Sequence, residues 1–443
     1  VLLLVYAFVI ELFLIRFQGP GGAPSRPARG FFALFLLLPA LLVAGFLLTH
    51  PQWLETRYLA RPFTPGERLL TEARILWSYL YQFIVPDITR YGLFHDDSGI
   101  SRGLLSPPAT LLAVAAWGLA LPAALLLRRR VPLLAFALAW YLGGHLLEST
   151  LLPLELIHEH RNYLPVVGPA TALVAGFWWA RLPSIGQAAR AGILGLFVLL
   201  LALVTWVRAD QWGDPVRMAV MEVRHHPESG RAQYQLGRIY YHLYQSRLVA
   251  DPALLAQARE AFARAAARDS YRQKPLFALL LVDLLERGGY DHQVLESLLT
   301  RLSSQPLQQG DVIDFKVLVD CRLAGRCPIE DTQIERLFRA VLSNPRVGRK
   351  ARQALLARQG FFYAKALGRL DLTERIFRDL VREAPGDVQL RLNLVDLLLA
   401  TGRPAEAVEQ LARADRADRL GIWQQSIDRY RGLAEQALGS GGE

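Results

Sequence analysis

The stretch LIHEHRNYLP, residues 156–165, gathers two histidines, a glutamate and an arginine in one short loop between long apolar runs. Just before it, His145 and Glu148 lie three residues apart. On a helix that spacing is about one turn, so both face the same region. The chemistry such a set could do is anion recognition. Arg161 can hold a phosphate through two parallel N–H bonds, and His158 or His160 can add a further donor. Tyr163 can pack against an apolar chain at a lipid boundary, and Pro165 sets the start of the next helix. A phosphate carried by a lipid would arrive at this depth. Two other readings stay open. The loop could be merely solvated, with Arg161 reaching for water. A divalent ion could sit on His158, Glu159 and His160, although alternate residues of one loop rarely converge on a metal unaided.

What must position this loop is a set of apolar helices. Of the 443 residues, 52% are hydrophobic and the formal charge is +10. That length permits about two or three domains. The long apolar runs fall within 1–208, whereas 213–443 is rich in Arg and Ala, so the expected border is Trp212–Pro215, giving regions 1–212 and 213–443. The basic residues are scattered rather than gathered in a block, which argues against a nucleic-acid partner. Crossing a bilayer takes about 20 mainly apolar residues. Six candidates meet or approach this: 1–15, 31–49, 109–127, 131–151, 163–182 and 190–207. The run at residue 1 lacks a basic leader and a cleavage site, so it is not a signal peptide. It is expected to be the remainder of a span, and the chain a fragment of a longer membrane protein.

A seventh stretch, 66–86, repeats Leu69, Ala73, Leu76, Leu80 and Phe83 at helical spacing. It also carries Glu67, Arg68, Glu72 and Arg74, which would be costly at mid-bilayer. It reads as an amphipathic helix lying in the membrane interface. Loop charge supports that choice. Arg16, Arg26 and Arg29, then Arg128, Arg129 and Arg130, then Arg181 and Arg190, fall on one side only if there are six spans. Basic loops stay cytoplasmic. This puts 50–108, 152–162 and everything after Arg208 on the exterior, which in a bacterium means an inner-membrane protein with a periplasmic C-terminal region.

That C-terminal region carries repeats. Leu236, Gly237 and Tyr240 have the spacing of a tetratricopeptide first helix, and Ala258, Phe262 and Ala265 that of its second. Phe377 and Leu411 lie 34 residues apart, the tetratricopeptide period. Pro385 ends one repeat, and 402–414 reads as a second helix. The expected fold is therefore all-α: a polytopic transmembrane bundle followed by an exterior tetratricopeptide-like solenoid, some other helix-pair array being the alternative. Stacked pairs present a concave surface suited to polypeptides. Cys321 and Cys327 could close a short disulfide in an oxidising compartment; free thiols are the alternative, since a metal site would want four ligands.

HEHRNYLP resembles the late exterior-loop motif, E-R-x-x-YLP in its simplest form, of the transmembrane and tetratricopeptide O-mannosyltransferases and their bacterial relatives. These are polytopic glycosyltransferases of the GT-C class. Residues 61–96, RPFTPGERLLTEARILWSYLYQFIVPDITRYGLFHD, are similar to their central loop, and the order of membrane bundle and exterior repeats matches. One departure is that His160 stands where the simple motif has arginine, with Arg161 one place later. The resemblance implies transfer of a sugar from a polyprenyl-phosphate carrier to a hydroxyl on the exterior face, and the repeats would bind an acceptor polypeptide; no cofactor is assigned beyond the divalent ion left open above. Positive charge from Arg161 and a histidine would suit a phosphate leaving group, and the acceptor would need a carboxylate base. In the family that acid lies in an earlier exterior loop, upstream of Val1 here. Glu159 is the substitute candidate, and Asp96 and Asp97 are expected instead to cap the HDDSG turn. The rivals are a non-catalytic membrane-anchored scaffold and a polymerase or ligase of lipid-linked oligosaccharides.

Overall fold

The computed structural model describes residues 2–19, 22–59, 61–180, 185–246, 251–269 and 271–440. Every extended element among them is helical, with no β-strand. Contacts divide the chain into two compact units, Val1–Asp269 and Ser270–Glu443. The compositional border at Trp212–Pro215 therefore lies inside the first unit.

In that unit three helices are long and apolar enough to cross a membrane: Arg26–Thr49, Ala109–Leu127 and Gln187–Trp212. Leu34, Leu41, Leu42 and Val43 on the first, and Leu196, Val198 and Leu199 on the last, are exposed. Leu2–Ile15 is a shorter apolar helix. The runs expected to span at 131–151 and 163–182 form shorter helices, Pro132–His145 and Val167–Trp179. Residues 181–182 lie outside the described residues. These short helices pack closely because glycine lines the contacts. A Cβ on Gly143 would lie 2.9 Å from Val5 Cγ1, and one on Gly168 would lie 2.9 Å from the Ala137 carbonyl oxygen. Tyr6 stacks on Trp140 at 4.2 Å between centroids.

The 66–86 stretch is a helix, Pro65–Ile84, opened by a reciprocal capping box between Thr64 and Glu67. Its buried face is largely polar. Arg68, Thr71, Glu72, Ile75, Tyr79 and Gln82 point inward, while Leu69 is exposed and Ala73, Leu76, Leu80 and Phe83 are half-buried. That face is polar because Arg68 and Tyr79 meet main-chain groups there, while the flank through Trp77 meets an aromatic side chain. Trp77 stacks on Trp117 at 4.3 Å. Each indole N–H donates to a carbonyl on the opposite helix, Trp77 to Ala113 and Trp117 to Ala73.

The helix pair Gly230–Ser246 and Ala253–Arg268 closes the first unit. Gly237 permits its close seam, since a Cβ there would lie 2.7 Å from the Phe262 ring. The second unit repeats the device. Gly360, in Arg349–Leu367, would place a Cβ 2.6 Å from Phe377, in Leu370–Glu383. Val388–Ala400 and Pro404–Ala417 form the next pair, with Val395 and Leu411 together in its core. Residues 275–345, where the repeat pattern fades, keep helix pairs through a run of buried aromatics. Phe277 meets Phe315, Phe315 meets Phe338, and Phe338 meets Phe362, at centroid distances of 6.1, 4.9 and 5.9 Å. Cys321 and Cys327 are joined as a disulfide.

Candidate functional site

The charged loop is built on a polar floor. Fully buried Arg68 donates from Nε to the Thr150 carbonyl at 2.8 Å, from Nη1 to Leu154 at 2.6 Å and from Nη2 to Glu148 at 2.5 Å. Its guanidinium also lies 2.9 Å from the buried Glu72 carboxylate. Burial pushes the Glu72 carboxyl up, against the pull of Arg68. Around this post, Arg61 donates to the Pro153 carbonyl at 2.7 Å and Tyr58 to Leu151 at 3.0 Å. The His158 N–H donates to the Tyr79 hydroxyl at 2.8 Å. Residues 148–158 are thus held by side chains from 58–79, because a non-helical stretch must give its carbonyls partners.

Glu159–Asn162 then forms a short 3-10 turn. Arg161 sits with its Nε 3.1 Å from Glu148 Oε2 and its Nη1 donating to the Glu155 carbonyl at 2.6 Å. The rings of His158 and His160 are 4.3 Å apart; His160 is exposed and His158 half-buried. Burial, then the charges of His160 and Arg161, hold His158 below the ordinary imidazole range. His145 is buried, 3.4 Å from Asn162 Oδ1 and 3.3 Å from Ser149 Oγ, its ring stacked on Tyr79. Tyr163 is 80% exposed. The structure therefore brings Arg161, Glu148, His158 and His160 to one place and backs them with His145. Glu159 it turns elsewhere.

Glu159 Oε1 accepts from the Gly92 N–H at 2.9 Å and lies 3.2 Å from His95 Nε2. This links the loop to a second cluster that the sequence reading missed. Glu222 Oε2 accepts from the Leu93 N–H at 3.0 Å, and His226 Nδ1 lies 2.8 Å from Asp97 Oδ2. A Cβ on residue 92 would lie 2.9 Å from His226 Nε2 and 3.0 Å from Glu222 Oε2. Only glycine admits this approach. Hydrogen bonding to Asp97 pushes the His226 imidazole up, and burial pushes the Glu222 carboxyl up. For Asp97, burial raises the carboxyl but the hydrogen bond and charge of His226 outweigh it, leaving it lowered.

The expectation for Asp96 and Asp97 is corrected here. Their carboxylates do not serve the HDDSG turn alone. Asp96 accepts from Ser229 Oγ at 2.5 Å and from the Arg231 N–H at 3.0 Å, satisfying a donor at the start of Gly230–Ser246 that the helix leaves open. Arg231 also pairs with Glu155 at 2.9 Å and lies over the Phe94 ring. The adjacent histidines of 224–230, RHHPESG, directly before a helix start, were the available signal. Among the described residues no group of three or more His, Cys, Asp or Glu is placed to hold a metal ion.

A tetratricopeptide repeat family model matches residues 364–425, which contain Leu370–Glu383, Val388–Ala400 and Pro404–Ala417 in full. No curated protein matches the chain.

Proposed function

We propose that the chain serves a membrane glycosyltransferase that moves a sugar from a polyprenyl-phosphate carrier to a hydroxyl on the exterior face. In this reading the 1–212 region is a six-span bundle in the inner membrane, and the 213–443 array lies in the periplasm and binds an acceptor polypeptide. The observation that carries it is the charged turn. Arg161, His158 and His160 converge directly before an apolar helix, on a loop that 58–79 holds in place. Such a turn can receive a lipid phosphate: Glu148 occupies the guanidinium in the free protein, and a phosphate oxygen would take its place. The base that activates the acceptor is not among these groups. Glu159 is committed to Gly92 and His95.

A second reading, a non-catalytic membrane scaffold, is favoured by one fact: Arg161 already has a carboxylate and a carbonyl as partners. Binding of polyprenyl phosphate to the protein in lipid nanodiscs separates the two. Arg161→Lys should weaken binding by about 1–3 kcal/mol, the worth of a charge-assisted hydrogen bond, and Arg161→Ala by more. Glu148→Gln should strengthen it, because it removes the anion the phosphate displaces. Arg57→Ala is the control, since Arg57 lies over the Trp53 ring and away from the turn in sequence. Arg161→Ala binding as tightly as Arg57→Ala would leave the scaffold reading standing.

A further inference from the structure

In the second unit a groove of about 910 Å³ runs between Arg349–Leu367 and the turn that leads into Val388–Ala400. That size is within the range of ligand sites, roughly 300–1,000 Å³. One wall carries Arg349, Lys350 and Gln353, the floor has Ala354 and Ala357, and Asn393 lines the far side.

Four features of the first wall occur together. Arg349 and Lys350 occupy the first turn of their helix, where the helix dipole already carries positive charge. Two cations there oppose the dipole. The helix also begins at Gly348, with no side-chain hydrogen bond capping its open N–H groups. Both cations are exposed and have no carboxylate partner among the described residues. Finally Gln353 is more than nine-tenths buried, lines the groove, and its amide nitrogen has no hydrogen-bond partner. A buried donor left open costs stability. All of these lacks are met by one kind of occupant, a chain of oxygen acceptors that carries a negative charge along its length.

We infer that this groove binds an extended polypeptide segment of a partner, with an internal Asp or Glu side chain against Arg349 and Lys350 and a main-chain carbonyl on the Gln353 amide. The small floor residues Ala354 and Ala357 leave room for backbone to lie close. Glu383 and Asp387 line the opposite wall and repel a segment that is acidic throughout, so a single acidic residue among neutral ones fits best. The inference rests on the reading of the array as a polypeptide platform and is independent of sugar transfer.

The test uses the whole chain in detergent and short fluorescein-labelled peptides rich in Ser and Thr, with Asp, Asn or Lys at the centre, read by fluorescence anisotropy. The Asp peptide should bind about fivefold to tenfold more tightly than the Asn peptide, the value of one charge-assisted contact. The double variant Arg349→Glu, Lys350→Glu changes exposed residues only, and it should reverse the order so that the Lys peptide binds best. Gln353→Leu keeps the volume but removes the donor, and should weaken all three peptides together by about fivefold. Equal binding of the three peptides to the native protein, or an order unmoved by the charge reversal, overturns the assignment of this groove while leaving the platform reading intact. No binding of any peptide overturns both.

Discussion

Beneath the charged loop the interior is largely polar; across the three helices of Leu370–Ala417 it is largely apolar, with Thr373, Arg391 and Gln410 as its buried polar groups. The first buries Arg68, Thr71, Glu72, Ser101, Thr110, His145 and Ser149. The second buries Phe377, Leu380, Leu392, Val395, Leu398, Leu411 and Ala414. In the apolar interior, stability follows volume, and neighbours of different size can compensate. In the polar interior each group has a particular partner, and losing one leaves the others unsatisfied. The same substitution logic cannot serve both regions.

The largest effect is expected at Arg68. Arg68→Met removes three bonds to carbonyls and leaves Glu72 buried without its cation, which should cost about 3–5 kcal/mol in thermal unfolding followed by tryptophan fluorescence in detergent. Adding Glu72→Leu should return much of the loss. A double variant no better than the single one would show that the carbonyls of Glu148, Thr150 and Leu154 carry the cost instead.

Gly360→Ala should cost less, about 1–3 kcal/mol, by driving a methyl into the Phe377 ring. This region should forgive the change if the facing residue shrinks. The next pair already has Val395 with Leu411 in its core, so Gly360→Ala with Phe377→Leu should recover stability. Failure of that rescue would mean that apolar seams are as partner-specific as the floor under the loop.

The smallest expected effect depends on pH and concerns the cluster at His226. A raised histidine stabilises fully below its unfolded value, about 6.5, and that contribution fades as pH rises through the raised value. Glu222, also raised, acts in the same direction: ionising it in its buried place costs stability as pH climbs past the carboxylate range. Asp97, lowered, sets the acid limit, below which its contribution is lost. His95, Glu159, His225 and Arg208 bear on the same groups. Hydrogen exchange at Gly92 and Leu93, corrected for intrinsic rates, should therefore be slower near pH 6 than near pH 8. His226→Gln should flatten the difference. An unchanged profile in that variant would remove His226 from the account.

The contrast between the two interiors also explains what could be read in the chain beforehand. The repeat array was legible because side-chain size recurs at fixed spacing: Leu236, Gly237, Phe262, Phe377 and Leu411 all sit in seams that the spacing implied. The disulfide was legible from the short Cys321–Cys327 interval. The buried face of Pro65–Ile84 was not, because Arg68, Thr71 and Tyr79 take main-chain partners there, which every residue carries and no pattern of side chains records. For the same reason the charged loop was found while the company it keeps was missed. Glu159, Gly92, Leu93, Glu222 and His226 are brought together from three distant stretches, and only Gly92 and the paired histidines before Gly230–Ser246 hint at it. The lengths of the apolar helices were less legible still, since glycines and buried carbonyls end Pro132–His145 well before the hydrophobic run does.

The bonds between 92–97 and 222–231 bear on where the polypeptide is divisible. Hydropathy changes at residue 213, and a gene fragment begun there would look like a self-standing repeat domain. It would start with Glu222, His226, Ser229 and the Arg231 N–H stripped of Leu93, Asp97 and Asp96. The first helix pair would enter solution with its opening turn unpaired. The division between the two compact units falls after Asp269, so an exchange of repeats should carry 270–443 alone and leave Gly230–Arg268 with the 92–97 stretch it is bonded to.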